Sequence, residues 1–479
     1  MDTSVKIRVD PDREIGQIDR KVYGHFIEHL GRCIYGGIWV GPDSQIPNID
    51  GFRADVLEAV KSLRPPIIRW PGGNFASGYH WMDGVGPSWE RPVRLDLAWR
   101  AVESNQFGTE EFIRFCRLVG AEPYICVNCG SGTAEEAARW VEYCNSSSPT
   151  SLVRLRQSAG STEPHKVRYW GIGNEVYGEW QIGSTDAESY AENCLEFAKL
   201  MRRVDPTIKL VAVGCDDDEW NRTVISKCGR VIDYLSYHKY YSGADPYYDI
   251  LASPVDLERQ IAKLKQRVDS VRPRSRDLSI ALDEWNLWHP EAVEESGLHQ
   301  KATLADGLFV SCVLNVLQRS SQAVGLANFA QLVNVLPLIV TDDEGDMYLN
   351  PAYLAFKLFV DHSGERALRV SCSCDTYRSQ KYNLEIPYVD CSSTYGDGVL
   401  HVSLVNRHKA TDVDVSIELR TQPRGEANVY TLEGPRIHSA NDFEKKNEVV
   451  LTRTPLGARG TEIEITVPAH TANIMDIPL

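Results

Sequence analysis

Residues 169–175 read Tyr-Trp-Gly-Ile-Gly-Asn-Glu. The apolar start of this stretch predicts a buried β-strand, and the glycines at its end allow the backbone to approach whatever lies above the strand. Asn174 and Glu175 are therefore expected at the mouth of a cleft.

A second stretch repeats this design about a hundred residues later. Residues 279–286 read Ser-Ile-Ala-Leu-Asp-Glu-Trp-Asn, an apolar run followed by carboxylates, an aromatic ring and an amide. Strand alternation predicts that Asp283 faces away from the side that Glu284 faces. Glu175 and Glu284 are two strand-end glutamates in aromatic surroundings, which is what glycoside hydrolysis requires. A single glutamate at a strand end would more often have a structural role, in which it stabilises a loop by accepting hydrogen bonds from backbone amides.

Apolar segments of strand length follow one another along most of the chain. They are residues 22–29, 66–74, 123–128, 169–175, 208–214, 234–238, 279–286 and 323–330. Helical patterns lie between most of them, including one opened by Thr133 and Glu136 as a capping box and a long apolar one at 301–319. This alternation predicts the α/β class, and the length favours a (β/α)8 TIM barrel over an open sheet. No Gly-x-Gly-x-x-Gly follows the first strand, which argues against a dinucleotide-binding fold.

In such a barrel, polar residues at the carboxyl ends of the strands share one mouth. That rule brings together Glu28, Asn74, Glu175, His238, Glu284 and Gln331. An acid that is protonated near neutral pH needs apolar or like-charged surroundings, whereas a nucleophile needs cations or hydrogen-bond donors. Arg69, His238 and Tyr240 are the expected donors near Glu284. We therefore expect Glu175 to be the acid/base and Glu284 the nucleophile.

Beyond about residue 360 the pattern changes to alternation with period two. Residues 399–405, 413–419, 427–432 and 461–467 predict a C-terminal antiparallel β-sandwich. The alternating stretch at 5–16 is expected to be an N-terminal strand of that sandwich. Because 479 residues exceed the size of one usual core, we expect two domains: a catalytic barrel at 17–360, and a sandwich formed by 1–16 with 361–479.

The charge and the apolar pattern restrict partners and location. A net charge of -15 argues against a nucleic-acid partner, because that affinity comes mainly from Lys and Arg. The N-terminal residues lack the apolar core of a signal peptide, and no apolar run is long enough to cross a membrane. We therefore expect a cytoplasmic protein whose twelve cysteines are free thiols.

Two further motifs allow alternatives. His25, Glu28 and His29 match the H-x-x-E-H pattern of one class of zinc peptidase, but that site requires a helix, and the lead-in resembles a strand. The competing interpretation makes Glu28 a hydroxyl-binding residue in the barrel mouth. Trp99 and Trp288 lie in polar loops, where a ring can stack on the C–H face of a sugar.

Several long motifs, in this order, resemble those of the α-L-arabinofuranosidases of glycoside hydrolase family 51. They are residues 22–39, 69–81 with 83–87, 171–183, 237–241, 283–286 and 331–335, and the likeness extends to 441–443. The stretch 176–180, Val-Tyr-Gly-Glu-Trp, differs from the Met-Asp-Gly-Pro-Trp of many members. Since it would face the leaving group, the preference for linkage and chain length stays open.

The resemblance implies a retaining barrel enzyme with a C-terminal β-sandwich, intracellular and hexameric, without a metal or organic cofactor. It implies Glu175 as acid/base and Glu284 as nucleophile. Around them it places residues that would bind the furanose or border the site, namely Glu28, Arg69, Asn74, Trp99, Asn174, His238, Tyr240, Trp288 and Gln331. The expected reaction is release of terminal arabinofuranose from arabinoxylan or arabinan oligosaccharides. The same glutamates also suit a β-D-xylosidase or an endo-β-glucanase.

Overall fold

The structure is a computed structural model that describes residues 4–273, 277–457 and 460–479. After a first strand β1 (Ser4–Gln17), eight parallel strands close into a barrel in chain order, each pairing with the next and the last with the first. They are β2 (Gly24–Phe26), β3 (Ile67–Trp70), β4 (Glu122–Val127), β5 (Tyr169–Ile172), β6 (Lys209–Ala212), β7 (Tyr234–Ser242), β8 (Ser279–Trp288) and β9 (Val324–Ala330). The predicted barrel is confirmed.

Helices surround the barrel. They are α1 (Ala54–Leu63), α2 (Thr109–Val119), α3 (Ala134–Asn145), α4 (Ser151–Ser158), α5 (Ala187–Val204), α6 (Asp218–Cys228), α7 (Tyr247–Val271), α8 (Leu304–Arg319) and α9 (Pro351–Asp361). Helix α3 begins as predicted, because Oγ1 of Thr133 accepts the backbone N–H of Glu136 at 3.1 Å. No helix within the described ranges is long and apolar enough to cross a membrane.

Strand β1 and most of the chain after α9 form a nine-stranded sheet. Its strands are β1 with β10 (Arg366–Ser373), β11 (Val389–Gly396), β12 (Val399–Asn406), β13 (Val413–Leu419), β14 (Ala427–Glu433), β15 (Val450–Leu456), β16 (Glu462–Val467) and β17 (Thr471–Pro478). All four predicted sandwich strands are present, and β1 joins the sheet as expected. Strand β1 pairs antiparallel with β10 but parallel with β13, so the sandwich is mostly antiparallel.

The sheet has one apolar core of its own and shares another with the barrel. Val9 of β1, Ile417 of β13 and Met475 of β17 belong to the first. Leu432 of β14 and Ile474 of β17 belong to the large core that also contains the apolar faces of α8 and α9. The division at residues 16 and 360 remains a prediction. All twelve cysteines are free and nine of them are buried, which agrees with the expectation.

Irregular pairing of strand β8 positions the site. Register shifts occur opposite β7, between Ser236 and His238, and opposite β9, between Leu282 and Trp285. A register shift of this kind re-aims the side chains next to it. Below these register shifts, the interior of the barrel is filled by a small cluster of buried residues that includes Tyr124, Tyr169 and Leu326.

Candidate active site

A cavity of about 520 Å³ opens at the carboxyl ends of the barrel strands. Its wall contains eight of the eleven residues that the sequence predicts for the site: Glu28, Asn74, Trp99, Glu175, Tyr240, Glu284, Trp288 and Gln331. The other three, Arg69, Asn174 and His238, are hydrogen-bonded to these or to one another beneath the cavity. All eleven are therefore brought together.

Glu284 lies on β8 and is buried, with 6% of its surface exposed. Its Oε1 accepts Nη1–H of Arg69 at 2.6 Å, and its Oε2 accepts the hydroxyl of Tyr240 at 2.8 Å. Nη2–H of Arg69 is donated to Oδ1 of Asn174 at 2.7 Å. A planar guanidinium thus fixes the carboxylate of Glu284 and the amide of Asn174 relative to each other.

Glu175 follows β5 in the left-handed region, at φ 43°. Its Oε1 lies 2.8 Å from Nδ1 of His238 and accepts the Tyr177 hydroxyl at 3.2 Å, and its Oε2 accepts the indole N–H of Trp180 at 3.2 Å. Burial is the largest influence and would raise the pKa of Glu175, but these donors and the charge of His238 lower it below its usual value. The expectation that its surroundings raise this pKa is therefore wrong for the free protein.

Glu28 is a third carboxylate in the wall of the cavity. Its Oε1 accepts the backbone N–H of Phe75 and the indole N–H of Trp99, both at 3.0 Å, and its Oε2 accepts the amide of Gln331 at 3.0 Å. Burial raises the pKa of Glu28 to about 8, and the charge of Glu284 adds to this. A Cβ atom at Gly73 would lie 2.5 Å from Oε2 of Glu28, so the backbone packs directly against the carboxylate.

Asp283 is placed differently from the prediction. It does not face away from Glu284: its Oδ2 lies 3.8 Å from Nε of Arg69 and its Oδ1 3.4 Å from Nε2 of His238, two residues that also contact Glu284. The alternation argument fails because β8 is irregular in register on both sides of this point. Asp283 is thus a residue of the site that the sequence prediction missed.

The sequence predicts Tyr177 and Trp180 only as residues of a stretch that would face the leaving group. The structure shows that both hydrogen-bond the carboxylate of Glu175. Trp180 remains 65% exposed, so its ring lies at the open side of the cavity. Trp288 stands edge-on to Tyr240, with ring centroids 5.4 Å apart, on another part of the rim.

The zinc-peptidase alternative is not supported by the geometry of its residues. Residues 24–26 form a strand, and His25 packs on Phe356 of α9 at 4.9 Å. His29 instead stacks on Phe75, and its two ring nitrogens contact Glu103 at 2.8 Å and the indole of Trp70 at 3.0 Å. The two histidines therefore do not converge on Glu28 as ligands.

One group in the described part of the chain has the spacing of metal ligands. Ligand atoms of Glu175, His238 and Glu284 all lie within 4.8 Å of one another. The Nδ1 atom of His238 that would have to bind an ion is engaged with Oε1 of Glu175 at 2.8 Å. Arg69 already neutralises charge at Glu284. The arrangement is that of a hydrogen-bonded acid–base site.

Comparison with known proteins agrees with this site. Residues 59–253 match the family profile of an α-L-arabinofuranosidase 1 domain, and residues 283–471 match that of an α-L-arabinofuranosidase C-terminal domain. The chain is 36% identical to a probable α-L-arabinofuranosidase C of Aspergillus niger, over 98% of this chain and 96% of the relative. It is 35% identical to an intracellular exo-α-L-arabinofuranosidase of Bacteroides ovatus, over 93% and 90%.

Solved structures show the same relationship. The α-L-arabinofuranosidase of Thermotoga maritima in its arabinose complex superposes with a TM-score of 0.94 at 43% identity, covering 99% of this chain and 100% of that one. The family 51 enzyme of Thermotoga petrophila gives 0.94 at 43% identity, covering 98% and 99%. With family profiles, relatives and structures in agreement, the chain belongs to the α-L-arabinofuranosidases of glycoside hydrolase family 51.

Proposed function

We propose that this α-L-arabinofuranosidase is an exo-acting, retaining enzyme. It releases terminal non-reducing arabinofuranosyl residues from arabinoxylan or arabinan oligosaccharides by double displacement. The observation that carries the proposal is the short separation of Glu175 and Glu284. A carboxylate oxygen of one lies within 4.8 Å of a carboxylate oxygen of the other. Retaining glycosidases hold their two carboxyl groups about 5 to 5.5 Å apart, whereas inverting enzymes hold them about 6.5 to 9.5 Å apart to admit a water.

Glu284 is the nucleophile in this proposal. Its carboxylate lies at the bottom of the cavity, fixed by Arg69 and Tyr240, so one oxygen can attack the anomeric carbon without reorganisation. Because it is ionised, this carboxylate would also stabilise the positive charge that develops on the sugar in the transition state. The glycosidic bond breaks as the new C–O bond to Glu284 forms, and its electron pair goes to the leaving oxygen.

Glu175 is the acid/base. It lies nearer the open side than Glu284, beside the exposed ring of Trp180, where the leaving group must depart. It protonates the leaving oxygen in the first step. In the second step it takes a proton from the water that attacks the glycosyl–enzyme, and Glu284 leaves as a carboxylate.

The remaining residues bind the furanose. Glu28, Asn74, Asn174 and Gln331 offer carboxylate and amide groups for its hydroxyls, while Trp99 and Trp288 border the ring. Glu28 and Trp99 support this role together, because the hydrogen bond between them fixes both at one wall. Exo action is supported by the Bacteroides ovatus relative, which is named an exo enzyme. The same relative, named intracellular, supports a cytoplasmic location.

A homo-oligomer, hexameric by resemblance, is part of the proposal. The hairpin of Arg94–Leu95 and Val102–Glu103 carries an apolar face that no described residue covers: Val93, Leu95, Leu97 and Val102 are each 65% to 74% exposed. The opposite face is occupied, since Arg94 pairs with Asp83 and Glu103 with His29. A short ribbon with exposed aliphatic residues suits a protein surface better than a sugar, and a second copy would cover it.

Light scattering on wild type and Leu95→Asp tests the assembly. Dissociation in the variant, with unfolding unchanged, is expected. An unchanged mass would show that this face lies outside the interface, and a monomeric wild type would remove the oligomer from the proposal.

Initial rates on matched aryl glycosides test the function. Wild type should cleave the α-L-arabinofuranoside far faster than the β-D-xylopyranoside or β-D-glucopyranoside, and proton NMR should show the α-anomer released first. Glu284→Ala should lose turnover by several orders of magnitude, while Glu163→Gln, at an exposed position outside the cavity wall, should not. Preference for the xyloside or glucoside would leave the roles of the two glutamates intact but overturn the proposed substrate. Initial release of the β-anomer would overturn the retaining mechanism.

A further inference from the structure

Asp283 is a fourth carboxylate of the site, buried beneath the cavity, and no step described above uses it. Only 1% of its surface is exposed. Its Oδ1 accepts the hydroxyl of Ser236 at 2.6 Å, and its Oδ2 accepts that of Tyr124 at 2.7 Å. Two neutral donors do not compensate a buried charge, which requires cations close by.

Two cations direct otherwise unused donors toward this carboxylate. Nε of Arg69 lies 3.8 Å from Oδ2, and Nε2 of His238 lies 3.4 Å from Oδ1. Both nitrogens are buried, and neither has a hydrogen-bond partner in the described part of the chain. The other polar nitrogens of these two side chains contact Glu284, Asn174 and Glu175. Asp283 therefore lies behind the two groups that hold the proposed nucleophile and acid/base.

His238 has carboxylates on both sides of its ring. Nδ1 lies 2.8 Å from Glu175 and 3.6 Å from Glu284, and Nε2 faces Asp283. A neutral imidazole would turn a lone pair toward one of these carboxylates, so the arrangement favours the imidazolium. Burial alone would lower the pKa of His238, but the charge of Glu284 and the contacts with Asp283 and Glu175 raise it to about 10.

We propose that Asp283 is a positioning residue that retains the Nε2 proton of His238, so that the mobile proton of the imidazolium is the one on Nδ1, facing Glu175. The proposal rests on the acid/base role of Glu175. The proton moves from Nδ1 to Oε1 of Glu175: the N–H bond breaks, the O–H bond forms, and both side chains become neutral. Glu175 then gives a proton to the leaving oxygen. In the second step, Glu175 takes a proton from water and returns one to Nδ1.

Nitrogen NMR of histidine-labelled protein without substrate tests the proton positions directly. The His238 signal is assigned by its loss in His238→Asn. In wild type at pH 7 to 8, both nitrogens of His238 should carry protons, and in Asp283→Asn the ring should lose a proton at lower pH. A neutral His238 in wild type at pH 7 would overturn the proposal, whether or not the variant folds.

The pH dependence of kcat/KM gives a second readout that a structural role alone would not change. In Asp283→Asn the basic limb should move to lower pH by about 1 to 3 pH units, because the shared proton is lost earlier. The value at pH 7 should fall roughly tenfold or more, because His238 also loses the contact that orients its ring toward Glu175. Asp476→Asn is the matched control, since Asp476 contacts His362 and His401 in the sandwich, both at 2.7 Å. Its basic limb should stay in place.

A lower rate in Asp283→Asn with an unmoved basic limb would reduce Asp283 to a structural residue. Failure of the proposed function has a different signature. If Glu175 is not the acid/base, Glu175→Gln retains the wild-type basic limb of kcat/KM. The NMR experiment measures the protonation of His238 without substrate, so its result does not depend on the role of Glu175.

Discussion

Nη1 of Arg69 lies 2.6 Å from Oε1 of Glu284, and both side chains are almost fully buried. Such a pair constrains substitution strongly, because removing one charge leaves the other uncompensated in a medium of low polarity. Asp283 makes the site still less tolerant of losing Arg69, since it is a second carboxylate near the same guanidinium.

Replacing Arg69 should separate charge from geometry. Arg69→Met should lower the free energy of unfolding by about 3 to 5 kcal/mol, because Glu284 and Asp283 lose their cation. Arg69→Lys keeps the charge and should lose less stability, yet it cannot bond Glu284 and Asn174 together in a plane, so kcat should still fall. Urea unfolding and initial rates on both variants check this. Equal stability losses would show that the fork geometry, and not the charge, dominates.

Removing the indole donor from Glu175 should change the pH profile. Burial raises the pKa of Glu175, and the hydrogen bond from Trp180 is one of the contacts that lower it. Trp180→Phe removes that donor, so the pKa of Glu175 should rise. If Glu175 must be protonated to act as the acid, the basic limb of kcat/KM then moves to higher pH, by less than about one pH unit. Trp89→Phe, at an exposed tryptophan outside the cavity wall, provides the matched control and should leave the profile unchanged. A shift to lower pH would contradict the acid role of Glu175.

Glu28 should make the protein less stable as pH rises. Its pKa is about 8 in the folded state, against an ordinary glutamate value of 4.5, so between these values the folded protein binds more protons than the unfolded chain. Stability contributed by protonated Glu28 is therefore lost as pH rises from about 4.5 to 8. In Glu28→Gln this dependence should disappear, since the amide of Gln331 can turn to face the new side chain. Urea unfolding at several pH values compares the two proteins, and parallel curves would refute the assignment.

A chelator should leave the hydrolysis rate unchanged. His25 and His29 point to separate aromatic environments, and the ring nitrogens of His29 are engaged with Glu103 and Trp70. Dialysis against EDTA followed by metal analysis and rate measurement tests this. Stoichiometric zinc in the active protein, together with loss of activity on its removal, would restore the peptidase alternative.

The sequence predicted the barrel well because each barrel strand is a short apolar run between helical patterns. It predicted the sandwich less completely. Strand β15 was missed because most of its residues are exposed, so no alternating apolar pattern marks it. Strand β10 begins with Arg366 and shows only a weak alternation in burial.

The site was predictable where it depends on strand ends and unpredictable where it depends on local irregularity. Glu175 and Glu284 follow from the barrel rule. The contact of Tyr177 with Glu175 depends on the left-handed backbone at Glu175, which no residue pattern indicates. The inward position of Asp283 depends on the register shifts around β8, and alternation assumes a regular strand.

Strand β1 lies between β10 and β13, which follow it in the chain only after the whole barrel. During synthesis, residues 4–17 therefore have no pairing strand until the ribosome has made the more than three hundred residues that separate β1 from β10. Contacts of such long sequence separation form slowly. A chain interrupted before β13 would leave β1 with an open edge, an available template for pairing with other chains. The nascent protein thus depends on its last hundred residues to bury its first strand, and chaperone demand should be greatest just before they emerge.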